Sequence, residues 1–224
     1  QKAYESAAQH LDKVLEYPNN KYSEDAMLMG AEMAYTAKNY EKALTIYKQL
    51  KDKAASMERR QLAKTGMLRS AHMLGNGEEI ILAATDLLAD TKLAPELSNE
   101  AHYYRAKAYL DASKTEAAME DLKVLAKDTR NVYGAEAKYK VAQIYFDGGQ
   151  TDKAEQEVLN YIEVSTPHTY WLARSFVLLA DVYMKLGRNL DAKQYLLSLK
   201  QNYQADDDIA GMIESRLEKL KIEN

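Results

Sequence analysis

The residues best suited to bind a metal ion or transfer a proton are the four histidines, and their spacing favours neither role. No His-x-x-x-His or His-Glu-x-x-His pair is present, although such a pair would place two ligands on one helix face. The chain has no cysteine, which excludes disulfides, thiolate catalysis and cysteine-bound zinc or iron–sulfur sites. We therefore predict no metal site and no cofactor; the isolated histidines are His10, His72, His102 and His168.

Carboxylates are abundant, but their positions suit helix capping better than catalysis. Residues 78–79 and 206–208 are acidic runs in turns or at helix starts, where no apolar pocket would raise a pKa for general acid chemistry. The sequence also lacks a Gly-x-Gly-x-x-Gly motif, a phosphate-binding loop and a Gly-x-Ser-x-Gly motif. We therefore predict that the chain is not an enzyme and has no catalytic residues.

Composition and charge narrow the classes of partner. Of 224 residues, 46% are hydrophobic and 29% are charged, which is typical of folded domains. The formal net charge of −4 lacks the basic excess that binding of phosphates requires, so we predict no nucleic acid partner. Apolar runs such as 80–84 and 176–180 are far shorter than the roughly 20 residues of a bilayer span, so we predict no membrane span.

The strongest pattern is a repeat with a period of 36 to 38 residues. In it, Ala-x-x-Tyr is followed, after eight intervening residues, by a second alanine. A fixed period of this size predicts a stack of identical structural units. The clear copies are Ala106, Tyr109 and Ala118; Ala142, Tyr145 and Ala154; and Ala180, Tyr183 and Ala192.

Each repeat unit is predicted to be a pair of helices joined by a tight turn. Apolar and small residues recur at helical spacing on both sides of the turn at 147–150, whose glycines tolerate a left-handed backbone. The alanines allow two antiparallel helices to approach closely, and the tyrosine fills the space beside them. Prolines fall between units; they are Pro18, Pro95 and Pro167.

The small-x-x-Tyr motif, the turn glycine, the second-helix alanine and the boundary proline together resemble the tetratricopeptide repeat. The resemblance implies an all-α fold, a right-handed superhelical solenoid of antiparallel helix pairs with about twelve helices in a single array over 1–224. Residues 1–20 would form an orphan second helix and 205–224 a capping helix. The five repeats would span 21–57, 58–95, 96–133, 134–167 and 168–204, with first helices near 24–37, 61–74, 97–111, 135–147 and 170–186.

The resemblance also implies where a partner would bind. In this family the first helices line a concave groove, so their inward positions carry over to this sequence. The implied groove residues are Tyr35, Arg69, His72, Tyr103, Lys107, Tyr139, Gln143, Phe146, Asp181 and Met184, with Leu28 and Glu32 on the first helix. They do not match the lysine and asparagine clamps of members that bind chaperone tails.

The function that follows is a non-catalytic protein–protein interaction scaffold that holds a peptide or helix of a partner protein. Tyr103, Tyr139 and Phe146 are the expected apolar anchors, and Arg69 and Lys107 are the expected charged contacts. Two alternatives stay open. The same aromatic rings could stack on sugars in a glycan-binding or hydrolase-accessory module of the cell envelope, or the array could be a structural spacer.

A further resemblance implies a location, and the amino end of the sequence bears on assembly. The repeats are slightly longer than 34 residues, which resembles the subclass found in bacterial cell-envelope proteins. Residues 165–175 resemble the C-terminal part of long repeat proteins from Bacteroidetes. This implies a periplasmic or cell-envelope location in preference to the cytoplasm. The unpaired helix at the amino end predicts that the natural protein continues upstream or self-associates through that end.

Overall fold

The computed structural model describes residues 10, 11, 13, 14, 16, 22–164 and 166–222, and this part of the chain is all-α. Its eleven helices are α1 (Ser23–Thr36), α2 (Tyr40–Lys53), α3 (Met57–Met73), α4 (Gly77–Leu88), α5 (Pro95–Asp111), α6 (Thr115–Leu125), α7 (Val132–Asp147), α8 (Thr151–Ile162), α9 (Thr169–Lys185), α10 (Asn189–Asn202) and α11 (Ile209–Ile222).

The predicted helix pairs are confirmed. The five predicted first helices are α1, α3, α5, α7 and α9, and each ends within one residue of its predicted end. Each begins one to four residues earlier than predicted, and α5 begins with Pro95 at its first position, where a missing amide donor does no harm. The predicted orphan helix at 1–20 lies outside the described residues except for five single positions.

The chain divides into two compact units, Gln1–Lys114 and Thr115–Asn224. In the described part of the first unit, each helix from α1 to α5 packs on the next, and α1 also contacts α3, which contacts α5. In the second unit α6 to α11 pack in the same sequential way, with further contacts of α7 with α9 and of α9 with α11. We call the layer formed by α1, α3 and α5 the first-helix face of the first unit.

The signature alanines are buried, as the sequence predicted. All six are at most 1% exposed, which fits close helix approach through small side chains. Of the signature tyrosines, Tyr183 is buried, whereas Tyr109 and Tyr145 are half-buried. In the capping helix α11, the predicted apolar stripe is buried at Ile209, Ile213, Leu217 and Leu220.

One backbone motif ends α1, α3, α5, α7 and α9. The residue after each C-cap has a positive φ, between 58° and 74°, and these residues are Lys38, Gly75, Ser113, Gly149 and Gly187. The next amide then donates to a carbonyl five residues earlier, the bond that closes a Schellman motif. The pairs are Asn39 with Ala34 (2.8 Å), Asn76 with Ala71 (3.2 Å), Lys114 with Tyr109 (2.8 Å), Gln150 with Tyr145 (2.8 Å) and Arg188 with Tyr183 (2.8 Å).

No described helix combines the length and the apolar character that crossing a membrane requires.

Candidate functional site

The first-helix face of the first unit contains a small cavity between α1 and α3, which we call the α1–α3 pocket. Its volume is about 140 Å³, and its lining residues are Leu28, Glu32, Tyr35, Tyr47, Leu62, Gly66 and Arg69. Four of these are positions that the sequence placed in the groove: Leu28, Glu32, Tyr35 and Arg69. The packing of α1 on α3 brings them together.

The floor of the α1–α3 pocket is Tyr47, which comes from α2 in the layer behind. The ring reaches the pocket because Gly66 has no side chain, and a β-carbon there would overlap the ring atoms Cζ, Cε1 and Cε2. Tyr47 is only 7% exposed. Burial raises its pKa to about 12, and the Glu32 carboxylate adds to that shift. The groove prediction missed both residues, although a glycine inside a predicted helix was a signal of close approach.

The walls of the pocket are apolar and aromatic. Leu62 is 53% exposed and lies about two helical turns before Arg69 on the same face of α3. Leu28 and Tyr35 are half-buried and pack against the core of the first unit. The Tyr35 ring meets the Tyr40 ring edge-to-face at a centroid distance of 5.2 Å, which fixes one side of the pocket.

The positive charge of Arg69, which lines the pocket, is neutralised by the carboxylate of Glu100. The Arg69 guanidinium donates from Nε to Oε1 of Glu100 at 2.8 Å and from Nη2 to Oε2 at 2.8 Å, so α3 and α5 are joined by a bidentate pair. Hydrogen bonding to this carboxylate raises the pKa of Arg69. Arg69, which the sequence placed in the groove, is therefore already paired with another residue of the same chain.

A larger open cleft of about 730 Å³ lies between the end of α3, the start of α4 and the second half of α5. Here the His72 ring stacks on Tyr104 at 4.0 Å between centroids. Burial, reinforced by the Lys107 ammonium, lowers the pKa of His72. Lys107 also lies 5.6 Å from the centre of the Tyr103 ring. Three predicted groove residues are therefore neighbours, and Tyr104 joins them although the sequence did not select it.

In the second unit, the prediction that Tyr139 is an exposed anchor is wrong. Tyr139 is 5% exposed and belongs to the core of the unit. Trp171 from α9 lies 5.6 Å from its ring, and the Arg174 guanidinium lies 5.2 Å from it. The Tyr139 hydroxyl donates to Oε1 of Gln143 at 2.8 Å. Two large side chains of the neighbouring helix therefore cover a position that helical phase alone placed on the surface.

The other predicted groove residues of the second unit also have partners within it. The Gln143 amide donates to Asp147 at 2.8 Å. Asp181 accepts from Nε and Nη2 of Arg216 at 2.9 and 2.7 Å, which joins α9 to α11. Phe146 and Met184 are half-buried against the core, and the Lys185 ammonium stands 4.9 Å from the Phe146 ring.

Arg174 is the residue of the second unit that the sequence reasoning missed. Its guanidinium donates to the Tyr170 hydroxyl at 2.7 Å and to Asp208 at 3.0 Å, beside the rings of Tyr139 and Trp171. Although burial opposes it, the hydrogen bonds that the guanidinium donates to the hydroxyls of Tyr170 and Tyr139 raise the pKa of Arg174. Arg174 therefore joins α9 to α7 and to the residue that precedes α11, and we assign it a role in the stability of the second unit.

The described ranges contain no group of three or more His, Asp or Glu side chains that could hold a metal ion.

A family model for the tetratricopeptide repeat matches residues 25–56, which cover nearly all of α1, the whole of α2 and their joining turn. The chain therefore contains a tetratricopeptide repeat at this position. The matched repeat supplies four residues of the α1–α3 pocket, from Leu28 to Tyr47. No curated protein sequence matches the chain.

Several solved structures share the fold of this chain. MamA matches with a TM-score of 0.63 at 16% identity, over 81% of this chain and 92% of its own. BtubC from P. vanneervenii matches with a TM-score of 0.56 at 12% identity, over 91% of this chain and 93% of its own. TPR-like repeats from Podosopora anserina match with a TM-score of 0.55 at 16% identity, over 82% of this chain and 96% of their own. At these identities the likeness concerns the fold alone.

Proposed function

We propose that this chain is a non-catalytic scaffold that binds an extended or helical segment of a partner protein on the first-helix face of its first unit. Tetratricopeptide repeats in general serve as protein–protein interaction scaffolds. The observation that supports this particular face is the α1–α3 pocket, in which predicted groove residues of two successive repeats converge on one cavity.

The size of the pocket suits one side chain of a partner. A cavity of about 150 Å³ is large enough to hold benzene, so about 140 Å³ leaves room for one side chain of a partner. Binding energy at protein interfaces is concentrated in such side chains, which fill preformed pockets. Arg69 and His72 lie three residues apart on α3, so a segment that crosses this helix would meet both the pocket and the larger cleft.

The aromatic residues fit a protein partner better than a glycan. A sugar stacks on an open ring face, but Lys107 stands over Tyr103 and Lys185 over Phe146. Tyr139 is buried. The rings that the glycan alternative requires are therefore covered in part or wholly, whereas the α1–α3 pocket is concave and bordered by Leu28 and Leu62.

Selection from a random peptide library tests the proposal. Peptides selected on the parent protein should lose about tenfold or more in affinity for the variant Leu62→Ser, because the substitution removes a pocket wall. The matched control is Leu190→Ser in the second unit, where the leucine is 78% exposed and its loss should leave affinity unchanged.

Selected peptides that bind both variants equally would contradict the proposed face. Failure to select any peptide, together with binding to peptidoglycan fragments, would favour the glycan-binding module. Failure of both assays would favour the structural spacer.

A cell-envelope location, which the resemblance of the repeats implies, and self-association through the amino end, which was predicted from its unpaired helix, belong to the same proposal. Fractionation of cells that produce the natural full-length protein tests the location. Sedimentation velocity over a range of concentrations tests self-association.

A further inference from the structure

The α1–α3 pocket carries one carboxylate that no described residue neutralises. The Glu32 side chain lies at the rim and is exposed, and within the described ranges it has neither a salt bridge nor a side-chain hydrogen bond. Arg69 is paired with Glu100 at 2.8 Å. Among these three charged groups, one negative charge remains, and it belongs to Glu32.

The field of Glu32 reaches the floor of the pocket. After burial, the Glu32 carboxylate is the largest cause of the raised pKa of Tyr47, and it outweighs the opposing effect of Arg69. At the floor of the pocket, the negative charge of Glu32 therefore outweighs the positive charge of Arg69, which also belongs to the lining. A cation is the charge that this cavity favours.

We propose that the α1–α3 pocket binds the lysine side chain of a partner segment, with its aliphatic stem against Leu28 and Leu62 and its ammonium at Glu32. This inference rests on the proposed function, because the lysine belongs to the segment that the face holds. A lysine stem buries its methylene groups along apolar surface and keeps its charged end at the rim. The rings of Tyr35 and Tyr47 offer further attraction to a cation.

Other side chains fit the pocket less well. An acidic side chain would be repelled by Glu32, and an apolar one would cover this carboxylate without giving it a partner, which costs free energy. An arginine carries a planar guanidinium in place of the compact ammonium of lysine, and the lining already includes one guanidinium, that of Arg69. A lysine needs only a single acceptor at the rim.

Small analogues of the side chain test the proposal directly. In titrations of ¹⁵N-labelled protein at neutral pH, n-butylammonium should shift the amide signals of Leu62 and Gly66, and n-butanol should bind about tenfold more weakly. The variant Glu32→Gln should lose about tenfold in affinity for n-butylammonium and none for n-butanol. The matched control Glu41→Gln, an exposed glutamate of α2, should behave like the parent.

Equal binding of the two analogues, or an unchanged response in Glu32→Gln, would overturn the lysine assignment. The composition of the selected peptides gives a second readout. Peptides that depend on Leu62 but carry no enriched lysine would also overturn the assignment and leave the protein-binding face intact. Binding of n-butylammonium that depends on Glu32, without any selected peptide, would support the cation site and contradict the proposed function.

Discussion

The phenol end of Tyr47 occupies the volume that a side chain at Gly66 would fill. The ring comes from α2 and the glycine lies in the middle of α3, so the contact passes between the two layers of the first unit. A buried ring therefore becomes the floor of a surface pocket. The stability of this unit and the shape of the pocket depend on the same contact.

Gly66→Ala should destabilise the first unit by about 1–3 kcal/mol, because the new β-carbon forces the Tyr47 ring to move within a packed core. Urea unfolding followed by circular dichroism measures the change. Gly30→Ala in α1 is the matched control. Its β-carbon would meet only Ile46 Cδ1 at 3.8 Å, so the gain in helix propensity, up to about 1 kcal/mol, should raise stability. Equal stability of the two variants would show that the ring is not confined by Gly66.

A second glycine contact joins the loop after α6 to the first turn of α7. A β-carbon at Gly134 would overlap the carbonyl oxygen of Asp128 and lie 2.7 Å from that of Leu125, and both obstacles are backbone atoms. Asn131 holds the same turn, accepting from the Gly134 amide at 2.9 Å and donating to the Asp128 carbonyl at 2.8 Å. No side-chain rotation can therefore make room for a larger residue.

We expect Gly134→Ala to lower the free energy of unfolding by about 3 kcal/mol, at the upper end of the cost of overpacking. Gly211→Ala in α11 should instead raise it by up to about 1 kcal/mol, because nothing lies within 4 Å of its β-carbon and alanine favours a helix. Thermal unfolding of both variants gives the comparison. The same sign of change in both would contradict the close approach at Gly134.

The period of the sequence repeat was enough to predict most of the fold. The repeat located the helix pairs, and the small residues at its signature positions, such as Ala142 and Ala154, are buried as predicted. Helical phase was less informative about the binding face, because it gives the direction of a side chain from its own axis and says nothing about what covers it. Tyr139 points as predicted along its helix, yet Trp171 from the next first helix lies over it.

Ion pairs between residues of different helices could not be predicted from the sequence either. Arg69 was predicted to meet a partner, but its bidentate bond to Glu100 depends on the spacing of α3 and α5, which no local pattern encodes. The α1–α3 pocket depends on three helices at once, because Tyr47 enters it from behind. The direction of each residue was predictable within its helix, and the cavity formed by several helices was not.

Lys38 holds a left-handed backbone with φ of 62° at the end of α1, where most of the equivalent turns have glycine. A side chain in this region carries a steric cost that glycine avoids. Lys38→Gly should therefore raise the free energy of unfolding by about 0.5–1 kcal/mol. Lys38→Ala is the control and should change nothing, since alanine keeps the β-carbon. A gain in both variants would mean that charge and not backbone strain limits this turn.

Two buried tyrosines should make the protein sensitive to alkali. Burial is the largest cause that raises the pKa of Tyr47 and of Tyr183 to about 12, from an ordinary value of 10.0. Below pH 10 both hydroxyls are protonated in the folded and the unfolded chain, so their full contribution to stability is present. Between pH 10 and 12 the unfolded chain releases these protons first. Stability should therefore fall as pH rises through this window.

Tyr47→Phe removes one of these ionisable hydroxyls and should reduce the loss of stability between pH 8 and pH 11 by about 1 kcal/mol, after allowance for partial screening by solvent. Urea unfolding at the two pH values measures this difference, and the variant at pH 8 serves as its own reference. Glu32→Gln should act in the same direction by a smaller amount, because Glu32 is the second cause of the raised pKa of Tyr47. If parent and Tyr47→Phe lose the same free energy over this range, Tyr47 ionises as readily in the folded protein as in the unfolded chain, and the closed floor of the pocket is contradicted.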